Sequence, residues 1–278
     1  MFAEKLTTRF GRDAKPPYAT RFTAGDPLAQ GLCFATLLNE LGGVRVQSLV
    51  DGVGGTFAGT VLPSWSGQYW NPGTATGSPR GVNFGATMAQ TVDLGLGAFT
   101  LAARVLPSAS FSTSGGLARR NDGNTVNAGW EVLCASNGTT LSIERATTNL
   151  AAKTNASIST SAGVWTTVVV VYLGDLTAAN VKIYYNGQLQ TINTAVNGTG
   201  VMGSDAAQSF ILGEANFTQQ STAAGPFQGL MDYCYIWRRA LIPSEVYQLQ
   251  ADPYSMFRET LNFNVGPPKG GFPALWLS

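Results

Sequence analysis

Apolar and polar positions alternate with period two along much of the chain, the pattern of half-buried strands. Phe99 to Val105 places Phe99, Leu101, Ala103 and Val105 on one face and Thr100, Ala102 and Arg104 on the other. Phe227 to Trp237 alternates likewise, with Phe227, Gly229, Met231, Tyr233, Tyr235 and Trp237 on one face. Trp165 to Leu173 carries Val169, Val170 and Val171 in succession, which predicts a central strand buried on both sides. Further strands are predicted at Leu32–Leu38, Thr56–Val61, Trp130–Ala135, Thr140–Arg145, Val181–Tyr185, Gln188–Ile192 and Phe210–Gly213. Asn137-Gly138 and Asn186-Gly187 mark hairpin turns, the second of type I′. Around Thr56–Val61, residues 51–80 are rich in Gly, Pro, Ser and Thr, with Trp65, Tyr69 and Trp70 set in a loop.

One helix is predicted, late in the chain. It has Pro243 in its first turn, Glu245 near the positive end of the dipole, and Val246 and Leu249 on one face; Asp252-Pro253 ends it. Many short strands, Gly-rich turns and one short helix predict an all-β, two-sheet antiparallel jelly-roll sandwich over residues 28–252. An extended arm, 1–27, precedes it and a tail, 253–278, follows. The arm holds Lys5, Arg9, Arg12, Lys15 and Arg21 against Glu4, Asp13 and Asp26, and Pro16-Pro17 favours extended backbone. Two readings stand for it: a strap on the domain or a neighbour, or a disordered tail. The tail ends in Phe272, Leu275, Trp276 and Leu277, apolar side chains that need either the parent domain or a partner to pack on.

Composition narrows the chemistry. The 278 residues include 17 Lys and Arg, 16 Asp and Glu, and no His. Without imidazole there is no Ser-His-Asp or Cys-His catalysis and no imidazole-bound zinc. A net charge of +1 gives no footprint for nucleic acid. Low charge leaves the surface poorly protected against self-association, which suits an assembly or life outside the cell. Cys33, Cys134 and Cys234 each sit in an apolar run and are expected as buried thiols. No stretch reaches 18 apolar residues, so no membrane insertion is expected. The sequence as given opens without a secretory signal, so export is expected by lysis or a non-classical route.

The segment GPFQGLMDYCYIWRRALIPSEVYQLQADP resembles the closing strand and helix of laminin-G-like, concanavalin-A-like jelly rolls, at Phe227, Gly229, Met231, Asp232, Arg239, Ala240, Leu241, Glu245, Val246 and Leu249. KIYYNGQLQ (Lys182 to Gln190) is similar to the family's hairpin, and DPLAQGLCFATLLNE to its opening strand. The arm's PPYATRF and the closing ADPYSMF resemble the laminin-G-like proteins of tailed phages and prophages. That resemblance implies a non-enzymatic structural protein of the virion, assembled in the host cytoplasm and released on lysis. It would decorate the capsid or form part of a head fibre or tail, contacting other virion proteins and copies of itself. Arg9, Arg12, Pro16, Pro17, Tyr18, Phe272 and Trp276 are then the assembly contacts. The alternative is a lectin-like module that binds host surface glycans.

Sites decide between such readings, because the fold serves many functions. Glycoside hydrolases of this fold place paired carboxylates along one strand, the spacing a retaining pair needs. Glu131, Glu144 and Glu214 each lack a second carboxylate within four residues, so no enzyme is expected. For a glycan, Trp65, Tyr69 and Trp70 beside Gln68 and Asn71 are the candidate platform, rings for the apolar sugar face and amides for the hydroxyls. No cofactor is required. Asp93, Asp122, Asp175 and Asp205 lie in or near turns and leave room for a structural calcium ion, although each equally suits an Asx turn. Asp232 is expected to satisfy backbone groups near the closing strand. Trp130, Trp165 and Trp237 are expected in the core.

Overall fold

A computed structural model describes residues 15–16, 21–23, 25–40, 45–57, 64–66, 68–72, 81–86, 88–108, 114–121, 128–135, 138–144, 149–154, 162–214 and 224–258. Two sheets face each other across one core. The first runs Gln188–Leu189, Lys182–Tyr185, Thr166–Tyr172, Phe99–Pro107, Gly229–Trp237, Tyr69–Asn71 and Ser64–Ser66. Leu32–Thr36 joins it on the closing strand Gly229–Trp237, which also carries Trp70 on that edge, opposite Met231. The second runs Ile192–Val196, Leu150–Thr154, Gly138–Glu144, Gly129–Ala135, Ser114–Asn121, Phe210–Leu212, Val82–Gly85, Gly54–Phe57 and Arg45–Gln47. Pairing is antiparallel except where Ala224–Pro226 lies along Ser114–Gly116. This is the expected all-β jelly-roll sandwich.

The alternation at Phe99–Pro107 does as the pattern demands. Phe99, Leu101, Ala103 and Val105 enter the core between the sheets with Val168 and Val170, against Trp130, Leu141 and Phe210 of the facing sheet. The Phe99 and Trp130 rings are 5.3 Å apart. The other face of the first sheet is not bare. Ala102, Val169, Val171, Tyr235 and Trp237 form a second core with Leu28, Leu241, Val246, Leu249, Tyr254 and Phe257. The helix Pro243–Ala251 is thus a lid on the outside of the sandwich, its Val246 and Leu249 buried.

Four expectations need correction. The closing strand does not keep one face from Phe227 to Trp237. A bulge between Met231 and Tyr233 inserts Asp232, so Met231 joins Cys234 and Ile236 in the inner core while Tyr233, Tyr235 and Trp237 face outward. Gln188–Ile192 is not one strand: Gln188–Leu189 closes the Asn186-Gly187 hairpin, and Ile192–Val196 crosses to the edge of the other sheet beside Leu150–Thr154. The aromatic loop is a hairpin, Ser64–Ser66 against Tyr69–Asn71. The tail begins inside the domain: Phe257–Arg258 pairs with Arg21–Phe22, and Tyr254, Met256 and Phe257 are core.

The residues that carry the family resemblance have a visible job. Arg239 grips Glu245 through two bonds of 2.7 Å and donates to the carbonyls of Gln30 and Pro27. Glu245 reaches back to the Ile242 amide, capping the helix start. One Arg–Glu pair therefore clamps helix, closing strand and opening turn together.

Candidate functional site

Strand period splits the expected platform. Trp65 pairs with Trp70, and both turn inward: Trp70 has no exposed surface, and Trp65 packs partly buried against the same core. Phe57 stacks on Trp70 at 6.2 Å, and the indole edge meets Gly213, where a Cβ would sit 2.2 Å from the ring. Trp70 offers no face to a sugar. Tyr69 and Asn71, one step out of phase, point to the outer side with the exposed Ser64 and Ser66. There Tyr69 meets Trp165, expected in the core but half-buried, with ring centroids 4.6 Å apart.

The result is a ledge on the outer face of the first sheet, beyond the reach of the helix. Its aromatic end is the Tyr69–Trp165 pair. Two positions further along the strands, a hollow of about 340 Å³ is lined by Asn71, Leu106, Pro107, Ser108, Gly163 and Leu230. Gln68 contributes only its backbone here: its carbonyl accepts from the Lys15 ammonium. No sequence signal singled out Trp165, because WTTVVVVYL reads as core throughout. Its place at the strand mouth, just before the ladder opens at Thr166 opposite Val105, is what leaves it half-exposed.

A buried charge cluster fixes the ledge from below. Asp232, turned outward by the bulge, accepts from Lys15 at 2.7 Å and from Arg104 at 2.9 Å, all three side chains being at least nine-tenths buried. Tyr254 donates to the same carboxylate at 3.3 Å. Lys15 also donates to the carbonyls of Leu37 and Asp232 and lies 5.0 Å from the centre of the Tyr69 ring. Arg104 lies 5.1 Å from the Trp165 ring. Each ring of the ledge thus rests on a cation held by Asp232. Burial pulls the Lys15 ammonium below its ordinary value, against the opposing pull of Asp232. Asp232 was expected to serve backbone groups; the bulge makes it the counter-ion of two cations instead. Of the residues expected to reach a neighbouring subunit, Pro16 is buried on its own domain and accepts from Asn39. Arg9, Arg12, Pro17, Tyr18, Phe272 and Trp276 lie outside the described residues.

Of the acidic candidates for a cation, Asp93, Asp175 and Asp205 each have protein partners. Asp205 pairs with the fully buried Arg120 at 3.1 Å and accepts from the Asp93 amide; Asp93 in turn accepts from Ser204 and from the Asp205 amide. Burial pushes the Asp205 carboxyl up to about 6 in spite of the Arg120 guanidinium beside it. Asp175 accepts from Asn180 and the Thr177 amide, an Asx turn that holds its carboxyl low. Asp122 lies outside the described residues. Among the described residues no three His, Cys, Asp or Glu side chains gather as a metal site would require. The three thiols are free and buried, and burial pushes Cys33 and Cys134 up to about 12. No helix among the described residues is long and apolar enough to cross a membrane.

The family described as the concanavalin A-like lectin/glucanases superfamily matches residues 80–247, more than half of the chain. The chain belongs to that superfamily. No curated protein matches it. As a concanavalin A-like domain it is similar to several solved structures. One is the binding domain of botulinum neurotoxin serotype G (TM-score 0.56, 14% identity, 81% of this chain and 51% of that one). Another is the type C neurotoxin, whose cell entry is described as dependent upon interaction with two ganglioside molecules (0.55, 14%, 79% and 50%). A third is the sialidase of Trypanosoma rangeli in complex with 2,3-difluorosialic acid (0.56, 16%, 81% and 34%). The chain spans about half the length of these toxin chains and about a third of the sialidase. Identities this low show the shared fold.

These likenesses correct the reading of the chain as a virion structural protein. The structures named here are toxin binding domains and a sialidase, and neither they nor the family match ties the domain to phage, capsid, head fibre or tail.

Proposed function

We propose that this concanavalin A-like domain is a non-enzymatic glycan-binding module, and that its ligand lies on the outer ledge of Tyr69, Trp165 and Asn71. The observation that carries the reading is the half-exposed Tyr69–Trp165 pair beside a 340 Å³ hollow, set on a rigid sheet and backed by buried cations. Aromatic faces offer the apolar side of a pyranose a flat partner at little entropic cost, and nearby amides and hydroxyls orient its polar rim. The toxin and sialidase likenesses lend support, since the type C toxin's cell entry is described as dependent on ganglioside molecules and the sialidase is in complex with 2,3-difluorosialic acid. Against catalysis, the Asp232 carboxylate beneath the ledge is tied up by Lys15 and Arg104 rather than free to serve as acid or nucleophile.

The test is a glycan array probed with the wild-type chain and with Trp165→Ala and Tyr69→Ala. The wild type is expected to bind a restricted set of glycans and each variant to lose about tenfold in affinity, the worth of one stacked ring. Unchanged binding by both variants would remove the ledge from the account. Prolonged incubation with a bound glycan is expected to release no new reducing ends.

A further inference from the structure

A second hollow, of about 330 Å³, lies at the other end of the same two strands, where the chain enters Phe99–Pro107 and leaves Gly229–Trp237. Its volume is at the low end of small-molecule sites, which run from roughly 300 to 1,000 Å³. Leu94, Ala98 and Ala240 give it apolar walls, and Asp93, Arg238 and Arg239 line it with charge. Arg239 is spent on Glu245. The other two are not. Arg238 is exposed and donates to the carbonyls of Ala89, Gln90 and Val92, which fix its guanidinium without neutralising it. Its Nη1 has no hydrogen-bond partner among the described residues. Asp93 is half-buried and accepts from neutral groups, the Ser204 hydroxyl and the Asp205 amide. Arg120, whose charge Asp93 also feels, is buried and paired with Asp205. Among the described residues neither Arg238 nor Asp93 has an ion-pair partner, and the two do not pair with each other.

Two opposite charges therefore line one hollow, each lacking a counter-ion and each within reach of a ligand. A simple anion is attracted by Arg238 but repelled by Asp93, and a simple cation meets the reverse. A ligand that carries both charges a few bonds apart satisfies both, through charge-assisted hydrogen bonds. An α-amino acid has that form: a carboxylate for the guanidinium, an ammonium for Asp93, and a side chain for the apolar walls. We propose that this hollow binds a free α-amino acid with an aliphatic side chain, its carboxylate on Arg238 and its ammonium on Asp93. The site is separate from the ledge and does not depend on what the ledge binds.

NMR titration of the isotope-labelled full chain with leucine, N-acetylleucine and leucinamide, read at the Ala98 and Ala240 amides, tests it. Leucine is expected to shift both resonances saturably. N-acetylleucine keeps only the carboxylate and leucinamide only the ammonium, so each is expected to bind about tenfold more weakly. Asp93→Asn keeps an acceptor for Ser204 and suits the left-handed backbone there (φ 56°), so the fold is retained. This variant is expected to reverse the order, with N-acetylleucine binding at least as well as leucine. No saturable shift with leucine, or shifts confined to other parts of the chain, overturns the site. Either single-charge probe binding the wild type as tightly as leucine overturns the amino-acid assignment, as does an Asp93→Asn variant that still prefers leucine.

Discussion

Arg120 has no exposed surface, and every nitrogen of its guanidinium ends on an acceptor: Asp205 from Nε, Met88 and Thr91 from Nη1, Ala86 and Ala206 from Nη2. It ties the 86–91 turn to the 204–206 turn from within strand Ser114–Asn121. Replacing it removes the ion pair from Asp205 and a donor from the carbonyls of Ala86, Met88, Asp205 and Ala206, so Arg120→Met is expected to cost about 3–5 kcal/mol in urea denaturation. Arg120→Lys is expected to recover little, since a compact ammonium cannot span the same fork. The Asp205 carboxyl, raised from 3.8 to about 6 by burial, makes a pH prediction. The folded state holds that proton to higher pH than the unfolded chain does. Its contribution to stability is therefore full below pH 3.8 and is lost as pH rises through about 6. Asp205→Asn is expected to abolish this part of the pH dependence, read as the difference between variant and wild type across pH 4–7. A difference that stays constant with pH would refute the assignment.

Among elements, the helix and the arm depend on single side chains. Glu245 caps the helix and holds Arg239, and these bonds depress its carboxyl although burial opposes them. That stability is present at neutral pH and lost as pH falls through the lowered value. Glu245→Ala is expected to cost about 1–2 kcal/mol at pH 7, with thermal melts converging on wild type in acid. Lys15 anchors the arm by one ion pair and its carbonyl contacts. Lys15→Met leaves Asp232 with Arg104, so a loss of about 2 kcal/mol is expected, less than the 3–5 for a carboxylate stripped of every partner. The helix was legible because Pro243, Glu245 and the Val246–Leu249 pair are local signals. The closing strand was legible only to Met231. A bulge depends on the neighbouring strand, here Arg104 meeting Tyr233 in place of Asp232, and nothing in the alternation of the chain itself marks it.

The whole molecule is a sandwich with one core between its sheets and a second between one sheet and the helix with the paired termini. The sandwich was readable from periodicity and turns, since period two and Asn-Gly dipeptides are local. The site was readable in part. Of the platform read from sequence, Tyr69 and Asn71 lie on the outer side, whereas Trp65 and Trp70 face the core because adjacent residues of a strand point to opposite sides. Trp165 could not be found from sequence, as its partner is 96 positions away. What unites these pieces is an aromatic shelf on a sheet, each ring backed by a buried cation. The most direct measurement is the indole N–H spectrum of the labelled chain, titrated with the sugar that binds best. The account predicts that the Trp165 resonance shifts in a saturable way while those of the buried Trp70, Trp130 and Trp237 stay still. A saturable shift elsewhere with Trp165 unmoved would contradict it.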